Sequence, residues 1–188
     1  MEFTPIEDYG VIGNLETCPL VGRDGSIDWC CFPHIESSSV FASILDDKGG
    51  GHFAVQPATD FESEQAYVTR TNVLRTEFRT DLGTLELTDF MPVSTKVLSG
   101  HTPSAIYRKA TCTEGTIEVD VGFAPRFDYE RAGTTVEGTS EGVLARGNGE
   151  QLYLWSPVSF ETSEGETEHA TASVSLGTDE TVWFVLQY

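Results

Sequence analysis

The sequence predicts an all-β fold, an antiparallel β-sandwich with one short helix. Three observations carry that expectation. Apolar residues recur at every second position, turn signals interrupt them at short intervals, and a single segment has helical spacing. Hairpins of unequal length favour a sandwich over a regular closed barrel.

The elements follow in chain order. Gly22-Arg23-Asp24-Gly25 is a turn by composition, with glycines at each end and an aspartate able to bond its own backbone. "SIDWCCF" then alternates, with Ile27, Trp29 and Cys31 on one face and Ser26, Asp28, Cys30 and Phe32 on the other. Pro33 ends that strand. "SSSVFASILDD" predicts the helix: Ser37 to Ser39 offer N-caps, Val40, Phe41, Ile44 and Leu45 form one apolar side, and Gly49-Gly50-Gly51 stops it. "NVLRTEFRTDLGTLELTDFMPV" reads as two strands joined through Asp81-Leu82-Gly83. In "TIEVDVGF", Ile117, Val119, Val121 and Phe123 face a core while Glu118 and Asp120 face solvent. "EGVLARGNGEQLYLWSPVSF" folds back at Gly147-Asn148-Gly149, and "ASVSLGTDETVWFVLQY" repeats the device with a turn from Gly177 to Glu180. A strong strand runs up to Tyr188, which predicts further chain beyond it.

The 188 residues suit a single domain with its own core. Thirty acidic residues against eleven basic ones give a net charge of −19. Such a surface repels phosphate backbones and anionic lipids, so neither nucleic acid nor membrane is an expected partner. The acids are scattered and lysine is confined to Lys48, Lys96 and Lys109, a pattern that reads as adaptation of the whole surface to high salt. No apolar run approaches the roughly 18 residues of a membrane helix. The start, MEFTPIEDYG, lacks a basic, apolar leader, and a cytoplasmic location is expected. Cys18, Cys30, Cys31 and Cys112 form no CxxC pair, and His34, His52, His101 and His169 are dispersed, so no metal and no other cofactor is expected.

Several side chains invite a functional reading. Asp24 and Asp28 form a nominal carboxylate pair, but one sits in a turn and the other on a strand, and no catalytic residue is assigned. Arg126 with Asp128, or Arg23 with Asp24, would make an ion-paired rim. Asp89 and Asp128 suit hydrogen-bonding loop ends. Trp29 sits beside the densest motif and is a candidate for contact with sugar or with another domain, whereas Trp155 and Trp183 are expected in the core or between sheets.

The blocks "IEDYGVIGNLETCPLVGRDGSIDWCCFP", "SVFASIL", "TNVLRTEFRT", "LTDFMPV" and "PRFDY" resemble, in order, the N-terminal domain of trehalase-like and glucoamylase-like enzymes of glycoside hydrolase family 15. The resemblance implies a supersandwich-like β-sandwich over residues 1–188, placed ahead of an (α/α)6 barrel that is absent from this sequence. In the family two glutamates of that barrel invert the anomeric centre, one as acid and one as base toward water. No position here corresponds to either. The chain departs from the family at His34, Ile35 and Glu36, where Arg-Phe-Asp is common, and at Cys30, where an aliphatic residue is usual.

The resemblance implies a non-catalytic domain that braces the catalytic barrel and lends a loop to its active-site rim, with α-glucan or trehalose as the sugar there. The segment from Arg23 to Phe41 is the expected docking face, with Trp29, Phe32, Val40 and Phe41 leaving an apolar patch, or self-association, once the barrel is removed. Two other classes stand beside this one. A stand-alone carbohydrate-binding module would carry an exposed aromatic row on one sheet, and an independent enzyme would carry two close carboxylates in a deep pocket.

Overall fold

The computed structural model describes residues 4–93, 104–163, 165 and 168–188; Lys96 and His101 lie outside them. After a 3-10 turn at Ile6–Asp8 come fifteen strands: β1 (Tyr9–Val11), β2 (Leu20–Gly22), β3 (Ser26–Cys31), β4 (Ser39–Phe41), β5 (His52–Pro57), β6 (Glu62–Tyr67), β7 (Leu74–Arg79), β8 (Gly83–Phe90), β9 (Ala105–Ala124), β10 (Thr135–Thr139), β11 (Gly142–Gly147), β12 (Glu150–Trp155), β13 (Glu161–Thr162), β14 (Ala170–Gly177) and β15 (Thr181–Gln187). Every strand pair is antiparallel.

The fold is a β-sandwich organised by the long strand β9. Its second half, with inward Ile117, Val119, Val121 and Phe123, lies in a sheet ordered β1-β2-β3-β5-β9-β14-β13. Its first half lies in a sheet ordered β6-β7-β8-β9-β15-β12-β11-β10. The strand bends between them, where Gly115 opposes Gly83 and the register shifts between Thr84 and Leu85. Between the sheets lies one apolar core, in which Phe53 and Phe123 meet edge to face at 5.7 Å and Phe41 packs against both.

Two expected hairpins form as read. Strands β7 and β8 pair from Leu74↔Asp89 to Arg79↔Thr84, and β11 and β12 join through Asn148 and Gly149, both at positive φ, as a tight two-residue turn requires. The third does not. Strands β14 and β15 do not pair with each other; each pairs with a different half of β9, so residues 177–180 carry the chain from one sheet to the other. This crossing is stitched to the β9 bend, where the Cys112 amide donates to Glu180 O at 3.0 Å and the Asp179 amide to Cys112 O at 2.8 Å. Alternation around a glycine turn looks the same whether the chain reverses or passes on.

The expected helix is also absent; the described residues contain no α-helix. Val40 and Phe41 belong to β4, whose Phe41 opposes Cys30, because a β-branched and an aromatic side chain fill core space beside β3. Residues 42–50 form turns, and Asp46 Oδ1 accepts the Lys48 and Gly49 amides, holding that backbone out of a continuing helix. The same contact breaks the expected alternation in β3. A register shift falls between Cys30 and Cys31, and both residues are buried.

The sandwich has a charged centre. Arg108 on β9 and Asp89 on β8 are register neighbours, both fully buried, with Nε donating to Oδ1 at 2.8 Å. The rest of the guanidinium crosses to the other sheet. Nη1 donates to Phe53 O at 2.5 Å, Nη2 to Gly25 O at 2.6 Å, and the group lies 4.8 Å above the Phe53 ring. Gly25 must be glycine: φ is +82°, and a Cβ would run into the Val55 carbonyl. Gln65 on β6 makes a lesser link, donating to Thr76 Oγ1 at 3.0 Å and to Gly22 O at 3.3 Å.

Removing one member of a buried pair leaves an uncompensated charge in the core. Asp89→Ala is expected to cost about 3–5 kcal/mol in urea unfolding, while the double variant Asp89→Leu/Arg108→Met is expected to cost far less. Equal losses in the two variants would contradict a charge-based role.

Candidate functional site

The outer face of the β1-containing sheet carries a polar cluster centred on Asp28. Tyr9 Oη donates to Asp28 Oδ2 at 2.7 Å, while Ser26 Oγ and Ser43 Oγ donate to Oδ1 at 2.6 and 2.8 Å. Three hydroxyls from β1, β3 and the turn after β4 thus converge on one carboxylate. Ser26 also joins the two aspartates, since its amide donates to Asp24 Oδ1 at 3.0 Å. Together with His52, Gln56 and Asp47 these groups line an open groove of about 270 Å³.

The protonation chemistry follows from burial. Desolvation, then the bond to Asp28, pushes the Tyr9 phenol well up, so it stays a donor across physiological pH. Burial raises Asp24, with Asp28 acting in the same direction, and burial lowers His52. An inverting hydrolase needs one carboxyl free to protonate the leaving group and another free to hold water, roughly 6.5–9.5 Å apart. Here Asp28 is occupied by its own chain's hydroxyls and Asp24 holds a turn. The cluster is built to lock β1, β3 and the β4 turn together.

The rim residues are arranged otherwise than expected. Arg23 pairs with Asp8 at 3.2 Å rather than with Asp24. Arg126 is largely buried and donates from Nη1 to Pro125 O and Glu168 O at 2.7 and 2.9 Å; Asp128 instead pairs with Arg131 at 2.8 Å and accepts Ser38 Oγ at 3.0 Å. Asp128, Tyr129 and Glu130 all have positive φ, at 52°, 57° and 63°, a left-handed turn that costs roughly 1–2 kcal/mol per residue. It sets Tyr129 beside half-buried Trp29 at 6.2 Å and beneath Arg131 at 5.3 Å.

Phe32, Val40 and Phe41 are completely buried, so these three leave no apolar patch. Phe32 stacks on Tyr188, and Phe41 belongs to the central aromatic cluster. Trp155 and Trp183 do not enter the core. Leu152, Leu154, Val182 and Phe184 take the inward positions of β12 and β15, and alternation turns both tryptophans outward. Trp183 meets Phe90 edge-on at 6.4 Å, and Phe90 stacks on Tyr107 at 5.3 Å, giving three rings on the adjacent strands β8, β9 and β15.

Sequence reasoning missed Tyr9, Ser43 and His52 because they reach Asp28 and its groove from other segments, with no motif spacing to announce them; Ser26 lies two residues from Asp28 on the same face of β3. Arg108, at an inward position between Ile106 and Ala110, carried a readable signal: a charge on the apolar side of an alternating strand. The four cysteines are free, and burial pushes the Cys31 thiol up to about 11 and Cys30 up as well, which makes both poor nucleophiles. Among the described residues no three His, Cys, Asp or Glu side chains are grouped to hold a metal.

A family profile described as trehalase-like, N-terminal, matches residues 1–188. The chain belongs to that family. It is 37% identical over 145 residues to a trehalase of Thermoplasma volcanium, covering 76% of this chain and 23% of the relative. It is 32% identical over 149 residues to a trehalase of Mycolicibacterium smegmatis, covering 72% and 22%. Trehalase 1 of Sulfolobus acidocaldarius is 38% identical over 125 residues, covering 66% and 20%. This trehalase-like N-terminal chain therefore spans about a fifth to a quarter of the length of these curated relatives.

The lowered pKa of His52 has a consequence for this trehalase-like fold. The unfolded chain takes up a proton near pH 6.5 while the folded chain resists it, so stability falls as pH drops below that value until the folded pKa is reached. His52→Gln is expected to flatten the melting temperature between pH 7 and pH 5. An unchanged slope would show that His52 stays solvated.

Proposed function

We propose that this chain is the non-catalytic N-terminal domain of a trehalose- or α-glucan-hydrolysing enzyme of the glycoside hydrolase family 15 type. It braces the catalytic domain and contributes to the rim of its active site, in the cytoplasm of a salt-adapted cell. The observation that carries this reading is the occupation of Asp28 by three hydroxyls of its own chain, within a family match that takes in every residue. The best-placed carboxylate of the chain holds strands together, and the curated trehalases it resembles are several times longer. The acidic composition, at −19, supports the salt-adapted setting.

A second reading, a carbohydrate-binding module, draws on Phe90, Tyr107 and Trp183 across adjacent strands. It is the weaker one, because Phe90 and Tyr107 turn their faces to each other and Trp183 stands at 86° to Phe90. Flat sugar-stacking rings need a free face.

The test is glucose release from trehalose, maltose and starch by the 188-residue chain, with tryptophan fluorescence followed in the same samples. The expected result is no release above a buffer blank and no saturable quench. Release that vanishes on mutating Asp24 or Asp28 would overturn the non-catalytic reading, and a saturable quench abolished by Trp183→Ala would favour the binding module.

A further inference from the structure

The described surface carries one apolar end that the sandwich itself does not explain. Leu15, Ile35 and Val11 are 83%, 58% and 44% exposed, and with Ile12, Thr17 and Cys18 they line a hollow of about 400 Å³. Leu15 lies at φ 75°, the left-handed region that a branched side chain adopts reluctantly. A large apolar side chain is thus held in disfavoured backbone and turned to water, two unfavourable choices at one position that bring no burial within this chain.

The surface is nonetheless held in a defined shape. Asn14 Oδ1 accepts the Glu16 and Thr17 amides at 3.0 Å each, and Thr17 Oγ1 donates to Cys31 O at 2.6 Å. The Ile35 amide donates to Glu16 O at 2.9 Å, tying the segment after β3 to the β1–β2 loop, and Asn72 Nδ2 donates to Gly13 O at 2.6 Å. A preformed apolar surface loses little conformational entropy when it is covered.

We propose that Val11, Leu15 and Ile35 form the seat of the domain that follows Tyr188 in the complete enzyme, an inference that rests on the N-terminal-domain reading above. The route of the chain supports this occupant. Tyr188 stacks on Phe32 at 5.7 Å, and its amide is tied to Ser104 O at 3.0 Å; Phe32 is three residues ahead of Ile35 in the same loop. Chain continuing past Tyr188 therefore emerges beside the loop that carries Ile35, which the Ile35–Glu16 hydrogen bond ties to the loop of Leu15. A second copy is the poorer occupant, since two chains of −19 each would be brought together. The docking face lies on Leu15 and Ile35 instead of on Phe32, Val40 and Phe41, which the sandwich core has already absorbed.

Maleimide labelling tests this directly. Leu15→Cys and Ile35→Cys are made in the 188-residue chain and in the complete gene product, with Leu82→Cys, exposed at the opposite end of the β7–β8 hairpin, as control. Rates are read above the unsubstituted background, and circular dichroism verifies the fold. Labelling of Leu15→Cys and Ile35→Cys is expected to be at least tenfold slower in the complete product, with Leu82→Cys equally fast in both. Equal rates everywhere, slowing that extends to Leu82→Cys, protection in the 188-residue chain that grows with its concentration, or a gene product ending at Tyr188 would each overturn the inference. Trehalose hydrolysis measured on the same complete product separates the two claims: protection without hydrolysis keeps the docking surface and removes the activity, and hydrolysis without protection does the reverse.

Discussion

The buried pair of Arg108 and Asp89 is the constraint on which the rest of this molecule depends. It sits where strands of one sheet are in register and reaches carbonyls of the other sheet at Phe53 and Gly25. Its net contribution to stability need not be large, because desolvating two charges offsets most of their attraction. Its effect is on alternatives. A one-residue slip of β9 would turn Arg108 outward and strand Asp89 in the core, so the pair penalises every register but one. Gly25 then places the β2–β3 turn, and with it Asp28 and Trp29 on β3.

The same logic governs the outer face. Asp28 gathers Tyr9, Ser26 and Ser43, so that β1 and the turn after β4 are held to β3 by one carboxylate. Asp128 does likewise for the left-handed turn that presents Tyr129, through Ser38 and Arg131. Asp28 has both oxygens engaged by hydroxyls of its own chain, and Asp128 Oδ1 accepts from Ser38 and Arg131, an arrangement suited to positioning a surface. That arrangement supports the proposal of a non-catalytic, supporting role for this chain.

Much of the fold was legible in the sequence, for reasons that also explain what was not. The inward row of Ile117, Val119, Val121 and Phe123, and the Asn148-Gly149 turn, depend on local chemistry and formed as read. Segment 37–47 was misread because Val40, Phe41 and Ile44 suit a helix by spacing, while the space beside β3 selected extended backbone for Val40 and Phe41. The β14–β15 turn was misread because alternation reports which face a residue takes and says nothing about which strand lies next to it. The site was less legible than the fold. Asp24, Asp28, Trp29 and Asp128 were singled out, but Tyr9, Ser43, Ser38 and Tyr129, which meet three of them, come from distant segments, and Leu15 gave no sign in the sequence that its backbone would be left-handed.

The central claim is that the polar groups of this chain build the fold and leave the chemistry to the chain beyond it. The most direct measurement is Asp28→Asn in the complete gene product, with melting temperature and kcat for trehalose read on the same preparation. Losing the charge weakens three hydrogen bonds in a partly buried site. The account predicts a melting temperature lowered by several degrees, with kcat within about twofold of the parent. A kcat reduced about a hundredfold or more at an unchanged melting temperature, the signature of a lost acid or base, would contradict it.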